Sequence, residues 1–186
     1  MKKEIRVLGI DDGPFDKFND SEALVVGTVY RGGSFIDGVL SCKVKVDGED
    51  STEKIIEMIN KSKFKPQIQA VLLDGIAVAG FNVVDVKELN EKTNIPVIVV
   101  MRTYPEIDKM KDALVKVGHK DKIKLLENAG EIHKLDEIFI QYIGLSLKEA
   151  EEIIDITSTH SLIPEPLRVA HLIARGVVEG ESKGRA

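Results

Sequence analysis

Two mainly apolar runs, IQAVLLDG at 68–75 and IPVIVVMR at 95–102, constrain this chain more than any other feature in it. A strand that is apolar on both faces has to be covered on both faces, which is the situation of a strand inside a parallel sheet clothed by helices. The segment between them, NVVDVKELNEKT, has the helical pattern that a crossover between two such strands requires. Upstream, EIRVLGIDD is a short β-branched run ending in acids, and EALVVGTVYRGGSFIDGVLSCKVKV reads as two strands turned at Arg31–Ser34. Three antiparallel strands follow from that. DSTEKIIEMINKSK, with Asp50 or Ser51 as its cap and Ile55, Ile56 and Ile59 on one face, is a helix. Downstream, EIDKMKDALVKVG is helical and KIKLLENAGEIHKLDEIFIQYIG reads as a hairpin or two edge strands. SLKEAEEIIDI opens with a Ser146–Glu149 capping box, and a last helix runs from about Pro166 to Arg175.

Three antiparallel strands, helix, strand, helix, strand, helix is the layout of the ribonuclease-H-like fold, an α/β mixed sheet flanked by helices. Neither GIDDGPF nor DGIAVAG is a glycine-rich phosphate loop, which weighs against a nucleotide-binding doubly wound sheet. No linker composition divides the 186 residues, so a single domain over 1–186 is expected. The net charge of −5 argues against a general nucleic-acid coat protein but leaves room for a locally basic groove. One such run, Lys109 to Lys124, is either a solvated face or a track for a phosphate backbone. A lone Cys42 excludes an internal disulfide framework and a cysteine-built zinc site. No apolar run approaches the ~20 residues of a membrane span, and MKKEIRVLGIDD lacks a signal-peptide core, so the expected location is the cytoplasm.

Acids end two of the strands that such a sheet makes neighbours. Asp11 and Asp12 close the first, Asp74 closes the fourth, and Asp50 stands at the start of the first helix. Carboxylates gathered at one point repel and are compensated by a hard divalent cation with oxygen ligands. Two such ions activate a water and stabilise the leaving oxygen of a phosphoryl displacement. Taken singly, the same residues have plainer roles: an Asp at a strand end turns the chain, and Asp50 caps a helix.

HSLIPEPLRVAH, His160 to His171, sets two prolines, a carboxylate, an arginine and two histidines beside a helix start. IPEPLRVAH resembles the C-terminal motif of the endonuclease V family, GID at 9–11 its first-strand aspartate, and LLDG at 72–75 its fourth-strand aspartate and glycine. IPVIVVMR is similar to its next strand, which ends in a lysine near the scissile phosphate. DDGPF, VDGEDST, LDGIAVAGFNVVD and PEPLRVAHLIARG extend the likeness over nearly the whole chain to a related archaeal family, endonuclease dU. That resemblance implies a metal-dependent endonuclease that cuts a DNA phosphodiester near a deaminated base, with deoxyuridine preferred, and leaves 3′-hydroxyl and 5′-phosphate ends. It implies Asp11, Asp50 and Asp74 as ligands for Mg2+ or Mn2+, His171 as a fourth ligand or a proton relay, and Arg102 in place of the phosphate-touching lysine. Asp12 competes with Asp11, since a one-residue shift in a strand carries a side chain to the other face, and Asp47, three residues away, competes with Asp50.

Endonuclease V opens DNA with a tyrosine-containing wedge. The corresponding stretch here, SFIDG, falls in a strand, which leaves Phe15 and Phe81 as aromatic alternatives and the lesion open. Two other functions fit the same residues: a noncatalytic nucleic-acid-binding relative whose acids hold metal structurally, and a small-molecule binder on the same fold.

Overall fold

The computed structural model describes residues 4–183. Its first three strands, β1 (Arg6–Asp12), β2 (Glu22–Arg31) and β3 (Phe35–Lys45), form the expected antiparallel meander, turned between β2 and β3 at Gly32, whose φ of 56° lies in the left-handed region. Helix α1 (Ser51–Asn60) leads to β4 (Ile68–Asp74), which lies parallel to β1. A two-residue ribbon, β5 (Ala77–Val78) with β6 (Asn82–Val83), precedes α2 (Val86–Thr93), and β7 (Val97–Met101) lies parallel to β4. Then come α3 (Ile107–Lys116), α4 (Ile123–Asn128), the hairpin β8 (His133–Leu135) and β9 (Ile138–Ile143), α5 (Leu147–Thr157) and α6 (Glu165–Glu179). The main sheet has the order β3-β2-β1-β4-β7-β9-β8.

The central strands alternate strictly between two cores, as the two-residue period demands. On β1, Leu8 and Ile10 join the layer under α1, α2 and α4 with Ile55, Ile59, Leu89 and Leu126, whereas Val7 joins the layer under α5 and α6 with Ile153 and Leu167. On β4, Val71 and Leu73 face the first layer and Ala70 and Leu72 the second. Continuing the count, Asp11 and Asp74 belong to the α6 side and Asp12 to the other. Ile10 is registered against Leu73, so the Asp11 and Asp74 positions are neighbours at the carboxyl edge of the sheet.

Four elements differ from the sequence reading, each for a local reason. KIKLLEN is the helix α4 rather than a strand, because Leu126 and Ala129 bury on one face beside Leu114 of α3. The hairpin begins only at His133, and β9 runs antiparallel to β7, so parallel pairing stops at β7. The Asn82 stretch is β6; α2 is capped instead by Asp85, whose carboxylate accepts the Lys87 and Glu88 N–H groups. Finally, α6 continues to Glu179 and stops at left-handed Gly180. Among the described residues no helix is long and apolar enough to cross a membrane.

Candidate active site

The proline-rich stretch fixes where α6 starts, and through that where His171 lands. Pro166 lies in the first turn, and its carbonyl accepts the Thr28 Oγ1 hydrogen at 2.6 Å in the buried seam with β2. Beneath it Gly9 has no side chain; an added Cβ would lie 2.6 Å from the Pro166 Cβ and O, inside contact distance. Glu165, only 3% exposed, is held by the Arg168 guanidinium in a fork at 2.7–3.0 Å. One turn further on, His171 Nδ1 sits 2.9 Å from Asp11 Oδ2.

The cleft at this point, about 470 Å³, is lined by Asp11, Asp12, Asp74, Arg102, His171 and Arg175 among others. Asp11 is 6% exposed, and its burial, with the Asp74 and Asp12 charges behind it, pushes its carboxyl up to about 8. Burial likewise lifts Asp12 and Asp74 above the usual carboxylate range; at Asp74 the Arg102 guanidinium, 3.7 Å away, opposes it. Burial, followed by the Arg175 charge, holds His171 below its ordinary value. The site is therefore a pocket of carboxylates short of positive charge. His171 Nε2 is buried without a hydrogen-bond partner, the ring's one uncommitted polar atom.

Residues 3–178 match the family described as Endonuclease dU. The chain belongs to that family. A UPF0215 protein of Methanothermobacter thermautotrophicus is 48% identical over 100% of this chain and 94% of its own length. The crystal structure of a protein of unknown function from Archaeoglobus fulgidus, 39% identical, superposes with a TM-score of 0.89 over 95% of this chain and 100% of that one. Endonuclease V of Ciona intestinalis, in complex with a 24-mer DNA containing an inosine followed by a ribo-adenosine, matches at a TM-score of 0.62 and 19% identity over 96% of this chain and 87% of that one. The fold of this endonuclease dU family member is thereby the ribonuclease-H-like fold of endonuclease V.

Of the residues singled out in the sequence, the fold brings Asp11, Asp74, Arg102 and His171 to one cleft. Asp12 lines it too, but its Oδ2 accepts the Ala79 N–H at 2.9 Å on the far side of β1. Asp50 is not in the lining; its Oδ1 accepts from Lys45 N–H at 3.0 Å and from the Asn82 amide at 2.8 Å. Nor is Asp47, whose Oδ1 accepts the Phe81 N–H at 2.8 Å and which braces the loop that holds Asp12. Phe15 lines the cleft, whereas Phe81 lies under the Lys17 ammonium at 5.2 Å. Sequence reading gave no site role to Arg175, whose place one helical turn after His171 was the available signal.

The donor set fits a hard divalent cation. Asp11 and Asp74 offer carboxylate oxygens at adjacent strand ends, and Mg2+ is commonly held by one or two carboxylates with its remaining positions left to water and phosphate. Among the described residues, the trio whose ligand atoms all fall within 4.8 Å of one another is a different one: Glu49, His119 and Asp121, at the mouth of the turn between α3 and α4. None of the three lines the Asp11 cleft. The sequence offered no periodicity to join them, because the contact is made by two loops.

Proposed function

We propose that the chain is a metal-dependent endodeoxyribonuclease that cuts a phosphodiester near a deaminated base, with deoxyuridine the preferred lesion. The observation that carries this reading is the pairing of two charge-starved carboxylates, the buried Asp11 and the half-buried Asp74, on neighbouring parallel strands, with a histidine and an arginine facing them. The family's description as Endonuclease dU, and the inosine-containing DNA bound by the structurally similar endonuclease V of Ciona intestinalis, support the substrate class.

Asp11 and Asp74 would hold Mg2+ or Mn2+, which when bound supplies Lewis-acid stabilisation to the phosphate oxygens. Arg102 stands beside Asp74 at the cleft rim and offers planar N–H donors to a phosphate. His171 steadies Asp11 through Nδ1 and keeps Nε2 free to hold or pass a proton.

The test is a nicking assay. End-labelled single- and double-stranded oligonucleotides with one uracil, one hypoxanthine or no lesion are incubated with magnesium or manganese, beside Asp74→Asn and a chelator control. Lesion-dependent cutting that both controls abolish is expected. Tight binding of DNA without cutting, by folded protein, would turn the reading to a noncatalytic binder.

A further inference from the structure

Directly beside the acidic cleft, on the opposite face of the sheet's carboxyl edge, lies a second and smaller cavity of about 180 Å³. Arg102 lines both, so the two spaces meet at that side chain. The walls of the smaller one are apolar: Ile76, Met101, Pro105, Met110 and Leu126. Gly75, next to Asp74, stands at its edge with a φ of 80°, and a Cβ there would meet nothing within 4 Å. The lining contains one buried polar side chain, Gln141 of β9, which is 3% exposed. Its Nε2 donates to the Gly130 carbonyl at 2.8 Å, which orients the amide; among the described residues its Oε1 accepts no hydrogen bond and stays accessible at the cavity wall.

Size and polarity together define the ligand. A dry apolar cavity of about 150 Å³ takes up a benzene-sized ring. At 180 Å³ this cavity holds one six-membered ring with its substituents and leaves little room for a fused second ring. Apolar walls suit the faces of an uncharged planar ring, and a fixed carbonyl acceptor suits a ring N–H.

Building on the nuclease reading above, we infer that Gln141 is the residue of this chain that separates uracil from cytosine. Its Oε1 accepts the ring N–H of a single-ring lactam base lodged in the cavity beside the phosphate to be cut. Uracil carries that N–H at N3. Cytosine presents a ring lone pair at the same position, which the Gln141 carbonyl repels.

The test is a cycle between protein and substrate. Wild type and Gln141→Met are each given oligonucleotides carrying deoxyuridine or N3-methyldeoxyuridine, and single-turnover cleavage is measured. N3-methylation is expected to slow the wild type about tenfold or more, the worth of one buried hydrogen bond. Gln141→Met should cut the uracil strand slower by a similar factor and respond less than about twofold to methylation. An equal methylation penalty in both proteins overturns the assignment while leaving the nuclease reading intact.

If the wild type cuts nothing, the same four pairs are compared by fluorescence anisotropy without divalent cation. A methylation penalty present only in the wild type would keep the pocket and sink the nuclease, and no preference for uracil would overturn both. Should Gln141→Met fail to fold, Met110→Trp fills the cavity without touching the Gln141–Gly130 bond. Unchanged uracil cutting or binding in that variant would also overturn the assignment.

Discussion

Asp11 and His171, 160 residues apart in the chain, are joined by a 2.9 Å contact between Oδ2 and Nδ1. The first strand thereby meets the last helix at the point where the carboxylates gather. The contact commits one ring nitrogen and leaves Nε2 without a partner. Replacing His171 with Ala should slow cleavage by roughly 10²-fold or more if that nitrogen handles a proton. The side chain is only partly buried, so the melting temperature should change little. Single-turnover rates set beside thermal melts separate the two effects, and an unchanged rate would remove His171 from the chemistry.

The electrostatics of the same pair give a pH dependence with a definite sign. Asp11 keeps its proton up to about pH 8 in the folded chain but loses it near 3.8 when unfolded. Between those values the native state binds more protons than the unfolded one, so the unfolding free energy falls as pH rises. Asp12 and Asp74, also raised, act in the same direction. His171, held below 6.5, acts the opposite way, but only beneath that value. In chelator, urea unfolding should therefore show stability declining from pH 6.5 to 8 by up to about 2 kcal/mol. Saturating magnesium, or Asp11→Asn in its absence, should flatten the decline, and a stability that rises over this window would contradict the assigned environment of Asp11.

Gly9 tests whether the proline motif acts through position. An alanine there would press its Cβ against Pro166, and the backbone on both sides leaves no flexible side-chain end to yield. Gly9→Ala should destabilise by about 1–3 kcal/mol and lift the start of α6. A displacement of that kind carries His171 off Asp11, so cleavage should fall more than the loss of folded protein explains. Denaturant melts and rates per folded molecule check it; lost stability with full activity per folded molecule would mean that α6 placement does not govern the site.

How far the sequence revealed this site depended on the kind of signal each part carried. The apolar runs around Val71 and Val99 located the parallel strands, but the sequence left Asp11 and Asp12 in competition; only the opposite layers entered by Val7 and Leu8 put Asp11 on the α6 side. The span from Lys122 to Ala129 misled because a short run with Leu126 and Ala129 inward fits a strand or a helix until its partner, Leu114 of α3, is known. Gln141 carried no signal in the sequence; it is buried because it stands opposite Val99, on the face where Met110 of α3 and Leu126 of α4 lie. Glu49, His119 and Asp121 meet only through two loops, for which sequence spacing holds no information.

Asp50 offers the sharpest separation between holding the fold and holding a metal. Its Oδ1 ties the end of β3, through Lys45 N–H, to the buried Asn82 of β6, whose own Oδ1 accepts from Ser51 N–H at the first residue of α1. Asn82 Nδ2 also donates to the Lys45 carbonyl, so removing the Asp50 carboxylate frees the Lys45 N–H and one of the two Asn82 amide hydrogens while the other keeps its acceptor. Asp50→Ala should then cost about 1–2 kcal/mol of stability. Assayed well below its melting temperature, the variant should cut at close to the wild-type rate, because its carboxylate faces Asn82 and not the Asp11 cleft. Asp11→Asn and Asp74→Asn should do the reverse, keeping the fold and losing the cut. Urea midpoints and single-turnover rates for the three variants decide the matter. If Asp50→Ala abolishes cleavage while its urea midpoint is unchanged, then Asp50 turns from Asn82 to the metal in the working enzyme, and the contact with Asn82 is what that movement breaks.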